Sequence, residues 1–373
     1  MVGRRLTALA VFLAVVPPAF AAVPQVGGRA FLVENATTGE VLAQRDAQLR
    51  LPMASITKLM TALVVLDYAR LDDVVTVGRG AASLGESTIG LVPGEQLTVR
   101  DLLAAALIQS ANDAADALAV HVAGSEASFV RLMNEKARTL GLRDTHFANP
   151  HGLDAEGHYS SARDLTALAR AAMRTPVVRD IVRRQTATIA GGRKLETWND
   201  LLARFPGLIG VKTGHTENAG WSEVAAVRRP GFVLYATLLG EPTREERNSD
   251  LAQLLAWGLS QYRMLPLVER GRAYGVAELP YGKEPVAVVA ARTVTRPVRL
   301  GRPLVERVVA PRTLSLPVAK GQRLGVVQVY RGRRLIASSP LVASRSVSAP
   351  GLLGRVGWYA GEAAGTVWAW VTP

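Results

Sequence analysis

Three short apolar runs, GLIGVKTG (207–214), WSEVAAVRR (221–229) and FVLYATLLG (232–240), follow one another with only turn-sized gaps. Connections this short join antiparallel neighbours, because a parallel pair needs a crossover of a dozen or more residues. The runs therefore predict a meander. A hairpin is expected at the front of the chain, where GRAFLVENATTGEVLAQRD (28–46) places two alternating runs around Asn-Ala-Thr-Thr-Gly. Between these strand regions the pattern is helical. The spacing predicts a helix from about Ala54 to Ala69, and a second helical stretch over 97–123 whose middle is broken by polar Gln-Ser-Ala-Asn-Asp. EASFVRLMNEKARTLGL reads as a helix closed by Gly141, SARDLTALARAAMRT as one opened by a serine cap, and 247–262 as a closing helix. Strands at both ends of a helical middle imply an antiparallel sheet packed by helices, an α+β domain.

From Leu265 the period changes to two, with Gly and Pro punctuation, and YRGRR marks a hairpin tip. Charge changes at the same place. Residues 264–345 hold 15 basic and 4 acidic residues, whereas 23–263 balance to zero. The expected organisation is a signal peptide (1–22), a main domain (23–263), a small basic all-β domain (264–345) and an amphipathic tail (346–373). The leader has Arg4 and Arg5 before an apolar run and a small-x-small site at Ala19-Phe20-Ala21, the pattern of an exported protein. The chain has no cysteine, so neither a disulfide framework nor a cysteine zinc site is available. In the tail, apolar residues at 352, 356, 359, 363, 367 and 370 recur at helical spacing, with Trp358, Trp368 and Trp370 suited to a membrane interface. The basic module could meet anionic wall polymers or lipid head groups; no nucleic-acid partner is expected.

Candidate chemistry starts at PMASITKLMTAL (52–63). Ser55 and Lys58 are three apart, so a helical backbone puts them on one face. Backbone N–H groups left free at a helix start can hold an oxyanion. A serine hydroxyl is a weak nucleophile without a base, and a lysine serves as one if burial and a nearby cation depress its pKa. Usage sharpens this reading. Of 44 basic residues only six are lysine, and arginine cannot deprotonate in a protein. Lysine at 58, and at 212 in GVKTGHT, is therefore informative. Ser110 and Asn112 sit in the polar break of the second helical stretch, where a helix cap is the plain alternative. Lys212, Thr213 and Gly214 end an apolar strand, where glycine admits a substrate backbone and the cations can hold a carboxylate.

Ser-x-x-Lys, Ser-x-Asn and Lys-Thr-Gly, in this order, are the motif set of β-lactamases and penicillin-binding proteins. With PMASITKLMTALVVLD, LVPGEQLTVRDLLAAALIQSANDAADALAVHVAGS, FVRLMNEKARTLGLRDTHFANPHGLD, HYSSARDLTALAR and GVKTGHTENAGWSEVAAV, the chain resembles the serine D-Ala-D-Ala carboxypeptidases of peptidase family S11, the low-molecular-mass penicillin-binding proteins, over about residues 28–263. The basic β module and tail resemble the family's C-terminal domain and membrane anchor in pattern only. The resemblance implies a β-lactamase/transpeptidase-like α+β domain followed by an all-β domain and an amphipathic helix. It implies Ser55 as the acylated nucleophile, Lys58 as its base, Ser110 as proton relay, and Asn112 holding Lys58 and the substrate amide. Lys212 and Thr213 would position the substrate's terminal carboxylate, with Gly214 admitting its backbone, His215 and Ser55 would supply oxyanion N–H groups, and Arg247 would pair with the carboxylate, with Arg244 as a near rival. Ala111 stands where glycine is common in the family. FANPHGLD, with His151, resembles a family loop of structural role.

The implied reaction removes the terminal D-alanine from peptidoglycan stem peptides through an acyl-enzyme that β-lactams would also form. No metal and no organic cofactor is expected; His121, His146, His151, His158 and His215 lack metal-ligand spacing. The implied location is the periplasmic or extracytoplasmic face of the cytoplasmic membrane, with the tail at the membrane surface. Three alternatives stay open at this point: a D-Ala-directed endopeptidase using the same residues, a class A-like β-lactamase, for which no Glu-x-x-x-Asn is present between the second and third motifs, and a non-catalytic wall-binding protein.

Overall fold

The computed structural model describes residues 6–13 and 22–360. The chain divides into two compact units, one ending at Ser260 and the other beginning at Gln261 and including the strand β1 (Leu6–Leu13).

The first unit is built on a five-stranded antiparallel sheet in the order β3-β2-β10-β9-β8. β2 (Ala30–Asn35) and β3 (Glu40–Arg45) form the front hairpin; the Asn35 carboxamide accepts from the Thr37 and Thr38 N–H groups and shapes its turn. β8 (Leu208–Thr216), β9 (Gly220–Arg229) and β10 (Phe232–Glu241) form the meander. β2 pairs with β10, Ala30 opposite Leu239 and Asn35 opposite Leu234, so the two ends of the unit close one sheet.

Helices cover both faces. α9 (Arg244–Ser260) lies so close to the sheet that a Cβ on Gly258 would sit 2.7 Å from Leu234 Cδ2. α6 (Ala162–Ala172) touches β10 at Thr237, whose Oγ1 is 2.6 Å from Thr166 Oγ1. Residues 234 and 237 point to opposite faces of a strand, so the two helices flank the sheet. α1 (Lys58–Tyr68) is buried from Lys58 through Val65, and packs with α3 (Val99–Ala104), α4 (Asn112–Ala123) and α5 (Glu126–Leu140) around Leu59, Met60, Leu103, Leu118 and Phe129. Caps fall where the sequence places them. Ser125 and Ser161 accept from the third helical N–H, and Gly141 takes a left-handed conformation with φ +74°. The long helical stretch over 97–123 is a short strand, a helix, a π-turn (Ala105–Gln109) and then α4. Short elements without a detectable period complete the unit: β4 (Val74–Thr76) with β5 (Gln96–Thr98), β6 (Thr186–Thr188) with β7 (Lys194–Glu196), α2 (Arg79–Ala82), α7 (Pro176–Val182) and α8 (Leu201–Arg204).

The second unit is all β. A six-stranded sheet runs β1-β15-β16-β17-β13-β12, with a separate pair of β11 (Tyr262–Val268) and β14 (Val294–Arg299). β12 is Ala273–Ala277, β13 Val286–Ala290, β15 Leu304–Pro311, β16 Arg323–Arg331 and β17 Arg334–Ala343. The expected hairpin tip lies at the β16–β17 turn, where Arg331 faces Arg334. Alternation buries Val288, Leu304, Val327, Val329 and Leu341 in one core.

Of the expected leader, residues 1–5 and 14–21 lie outside the described residues. Residues 6–13 run antiparallel to β15 as an edge strand. Of the expected tail helix, residues 361–373, with Trp368 and Trp370, lie outside the described residues. Residues 352–360 are helical and leave Leu352 and Leu353 more than four-fifths exposed, while Trp358 meets Tyr281 edge-on at 5.4 Å. Among the described residues no helix is long and apolar enough to cross a membrane.

Candidate active site

Ser55 does not lie on α1 itself. It occupies a 3-10 turn (Ala54–Thr57) that enters the helix, with α1 starting at Lys58. A 3-10 turn stacks residues i and i+3 directly, so Ser55 Oγ and Lys58 Nζ meet at 2.8 Å. Ala54 enters the turn with φ +48°. Gly152 lets the 149–154 loop press against this turn: its φ is +99°, and a Cβ there would fall 2.1 Å from Ala54 O.

Lys58 is fully buried. Its Nζ lies 2.7 Å from Asn112 Oδ1 and 2.6 Å from the carbonyl of His151. Burial, first, and the Lys212 cation, second, hold its pKa well below the ordinary value for a lysine; Asp113 and Glu86 oppose them. A neutral amine with two N–H groups aimed at Asn112 and His151 keeps its lone pair for the third neighbour, Ser55. The His151 carbonyl is a contact that sequence reasoning missed. A backbone atom carries no residue-type signal; the adjacent glycine with its required approach is the trace it leaves. The imidazoles of His151 and His158 are pushed down to about 3 and about 4, by burial first, and stay neutral. His158 holds the turn through Thr57 Oγ1 at 2.8 Å.

The π-turn delivers Ser110 in a left-handed conformation, φ +67°, a strained backbone of the kind found at functional sites. Lys212 Nζ donates to Ser110 Oγ at 2.9 Å and to Thr213 O at 2.9 Å. Burial brings its pKa down to about 7, helped by Arg247 and opposed by Glu223. β8 runs beside the Ser55 turn: a Cβ on Gly214 would lie 3.0 Å from Met53 O and 3.2 Å from Ser55 N, so any side chain would crowd the turn. His215, next on β8, is exposed and stacks on Trp221 at 4.1 Å.

Ser55, Ser110, Thr213, Gly214, His215 and Arg247 line one cavity of about 240 Å³, with Lys58, Lys212 and Asn112 behind its wall. Glu86, Ser87, Trp198 and Trp221 complete the lining. The two rival arginines separate here. Arg247, fully buried on α9, faces this cavity. Arg244 is turned away, bidentate to Asp200 at 2.7 and 2.8 Å and stacked on Trp198.

Beneath Arg247 lies a residue that sequence reasoning did not single out. Glu223, opposite Thr213 on β9, is fully buried, with Oε2 3.4 Å from Arg247 Nε. Both its oxygens, Arg247 Nη1 and Asn199 Nδ2 have no hydrogen-bond partner among the described residues. Burial pushes the Glu223 carboxyl up to about 7, with Arg247 pulling it down. Its signal in the sequence is a carboxylate inside an otherwise apolar strand.

A serine whose oxygen touches a dry, depressed lysine, a second buried lysine bonded to a strained serine that lines the same cavity, and a buried guanidinium facing that cavity make a site for acyl transfer from a substrate bearing a carboxylate. Comparison with known proteins agrees. Residues 18–243 match the Peptidase S11 family, D-alanyl-D-alanine carboxypeptidase, and residues 262–349 match the C-terminal domain of penicillin-binding protein 5. D-alanyl-D-alanine carboxypeptidase DacF of Bacillus subtilis (strain 168) is 32% identical over 337 residues, covering 87% of this chain and 86% of its own. Penicillin-binding protein 5 of Haemophilus influenzae superposes with a TM-score of 0.64 at 29% identity, over 88% of this chain and all of that one. Penicillin-binding protein D2 of Listeria monocytogenes, solved in an ampicillin-bound form, superposes with a TM-score of 0.58 at 33% identity, over 62% of this chain and 98% of that one.

Proposed function

The chain belongs to the peptidase S11 family of D-alanyl-D-alanine carboxypeptidases, serine hydrolases of the penicillin-binding class, and on that premise we propose how its own residues divide the work. Ser55 attacks the carbonyl between two D-alanines while Lys58, neutral, takes the hydroxyl proton. The new Oγ–C bond forms a tetrahedral oxyanion held by the N–H groups of Ser55 and His215. The C–N bond breaks, and the proton passes from Lys58 through Ser110 to the leaving amine of D-alanine. Water then gives a proton to Lys58 and its oxygen to the acyl carbon, and Ser55 recovers its hydrogen. Asn112 holds Lys58 and the substrate amide; Lys212, Thr213 and Arg247 hold the terminal carboxylate, with Gly214 clearing the space for the substrate backbone.

The observation that carries this reading is the 2.8 Å approach of a fully buried lysine to Ser55 Oγ, with acceptors on its other two sides. The substrate is a peptidoglycan stem peptide ending in D-Ala-D-Ala, and β-lactams acylate the same serine. The protein works outside the cytoplasm, and the tail holds it at the membrane surface through apolar side chains such as Leu352, Leu353 and Val356, which the described fold leaves in solvent.

Intact mass after incubation with a penicillin, for the wild type and Ser55→Ala, tests the mechanism together with D-alanine release from a D-Ala-D-Ala peptide. A stable adduct on the wild type alone, with D-alanine release, is expected. Absence of both would remove the acyl-enzyme reading, and rapid penicillin turnover without peptide cleavage would replace it with a β-lactamase.

A further inference from the structure

At the far end of the same sheet, about 17 Å along β8 from Gly214 by strand rise, lies a second cavity of about 200 Å³. Four guanidiniums converge on it from separate elements: Arg170 from α6, Arg174 just beyond its end, Arg179 from α7 and Arg228 from the end of β9. Tyr235, on β10, forms its floor and is only 4% exposed.

Charge there is unbalanced. Glu34 pairs with Arg170 at 2.5 Å. Arg179 reaches only the Met173 carbonyl, at 3.5 Å, and neither Arg174 nor Arg228 has an acidic partner among the described residues. The nearby Asp180 is engaged with Arg183. The Tyr235 hydroxyl makes no hydrogen bond to the described residues, although it sits among Arg170, Arg174 and Arg228. Burial pushes its pKa up to about 12 against the pull of those cations, so it remains a proton donor at any physiological pH. The residue is buried but lines the cavity, so its hydroxyl is open to a ligand there that can accept from it. Several guanidiniums crowded around a concave surface repel one another and focus a positive potential into it. One kind of ligand suits both the guanidiniums and the hydroxyl: an oxyanion with more acceptor sites than a carboxylate offers, bound by planar forks.

We propose that this cavity is a binding site for a phosphate-class anion, held by Arg174, Arg179 and Arg228 with the Tyr235 hydroxyl as a further donor. The chemistry is common to a soluble phosphate ester and to the headgroup of an anionic phospholipid. The cavity has room for a headgroup-sized anion rather than for a polymer strand. It is separate from the catalytic cavity and shares no residue with it.

Calorimetric titration of the full chain with inorganic pyrophosphate and with succinate tests it. Saturable pyrophosphate binding is expected, with succinate much weaker. Arg174→Glu combined with Arg228→Glu should weaken pyrophosphate binding tenfold or more, as the loss of two charge-assisted contacts requires. Arg228→Gln and Tyr235→Phe, milder changes, should each weaken it severalfold. D-Alanine release from peptide should be unchanged in all three, which shows that they are folded. Flotation with phosphatidylglycerol vesicles, compared with phosphatidylcholine vesicles, separates the sources. Vesicle binding that depends on Arg174 and Arg228 identifies a lipid headgroup; its absence, with pyrophosphate binding retained, identifies a soluble ester. No saturable pyrophosphate binding, equal binding by succinate, or undiminished binding by the variants would each overturn the proposal.

Discussion

Two buried ionic clusters lie on either side of the Lys212-Thr213-Gly214 segment, and they are built on opposite principles. Around Lys58 the polar groups are matched: its amine meets Ser55, Asn112 and His151, and Lys212 meets Ser110 and Thr213. Around Arg247 they are matched only in part: its Nη2 donates to Asn248 Oδ1 at 2.6 Å and to Asp200 Oδ2 at 3.3 Å. Both Glu223 oxygens, Arg247 Nη1 and Asn199 Nδ2 lack hydrogen-bond partners. A fully satisfied network in a low-dielectric interior is rigid, which suits a base that must stay within reach of one oxygen. An unsatisfied one keeps its charges responsive to whatever enters. The first cluster is thus organised around proton transfer, the second around recognition of a carboxylate.

The sharpest way to break this comparison is Lys58→Arg. The reach is kept, but arginine stays charged and cannot give up its proton. D-Alanine release and penicillin acylation should both fall by about 10²–10⁴, the usual worth of a general base, read by stopped-flow acylation with a fluorescent penicillin. An arginine variant that retains activity within tenfold would show that Lys58 acts by charge alone.

Arg247→Ala should cost less, because it removes binding rather than chemistry. Charge-assisted hydrogen bonds are worth ~1.5–3 kcal/mol each, so kcat/KM for a D-Ala-D-Ala peptide should fall roughly 10–100-fold. A peptide with its terminal carboxylate amidated provides the control: wild type and variant should treat it alike. If the variant loses as much on the amidated peptide, Arg247 supports the fold around Asp200 and Glu223 and does not read the substrate.

The two clusters were not equally legible in the amino-acid sequence. The sheet and main helices could be read because they carry a period and end at residues with a physical role, such as Asn35, Ser161 and Gly141. The strands of β4 through β7 are three residues long, too short to show any period. The residues gathered at the Lys58 cluster stood out through spacing and through a rare residue type, lysine in an arginine-rich chain. The His151 carbonyl could not be seen, since any residue offers one. Glu223 looked like an ordinary strand position because its significance depends on α9 bringing Arg247 over it, and no local pattern encodes a contact between residues on different elements. Both Arg244 and Arg247 reach Asp200, and they were separable only by the helical turn that also places Arg247 against the cavity.

The smallest effect, and the one that isolates Glu223, is in the pH dependence of stability. Its carboxyl lies near 7 in the folded chain against an ordinary 4.5, so the folded state holds a proton that the unfolded state has released. Stability from this group therefore falls as pH rises from about 4.5 to about 7 and is level beyond. Lys212 has the reverse sign. Its folded value near 7 lies below the ordinary 10.5, the unfolded state binds the extra proton, and stability rises from about pH 7 upward. Together they place a shallow trough near neutrality. Glu241, also near 7, and Asp116, near 6, add to the acid-side slope, while His151 and His158, held near 3 and 4 against an ordinary 6.5, oppose it, so the wild-type curve alone does not identify Glu223. The difference between wild type and Glu223→Gln does, because contributions unchanged by the substitution cancel. Urea unfolding midpoints measured from about pH 5 to about pH 9 should show the variant losing part of the acid-side decline and keeping the alkaline-side rise. If the decline is unchanged, the buried proton resides on another carboxyl, and Glu223 is held as a permanent anion by Arg247. The recognition cluster would then be as rigid as the catalytic one.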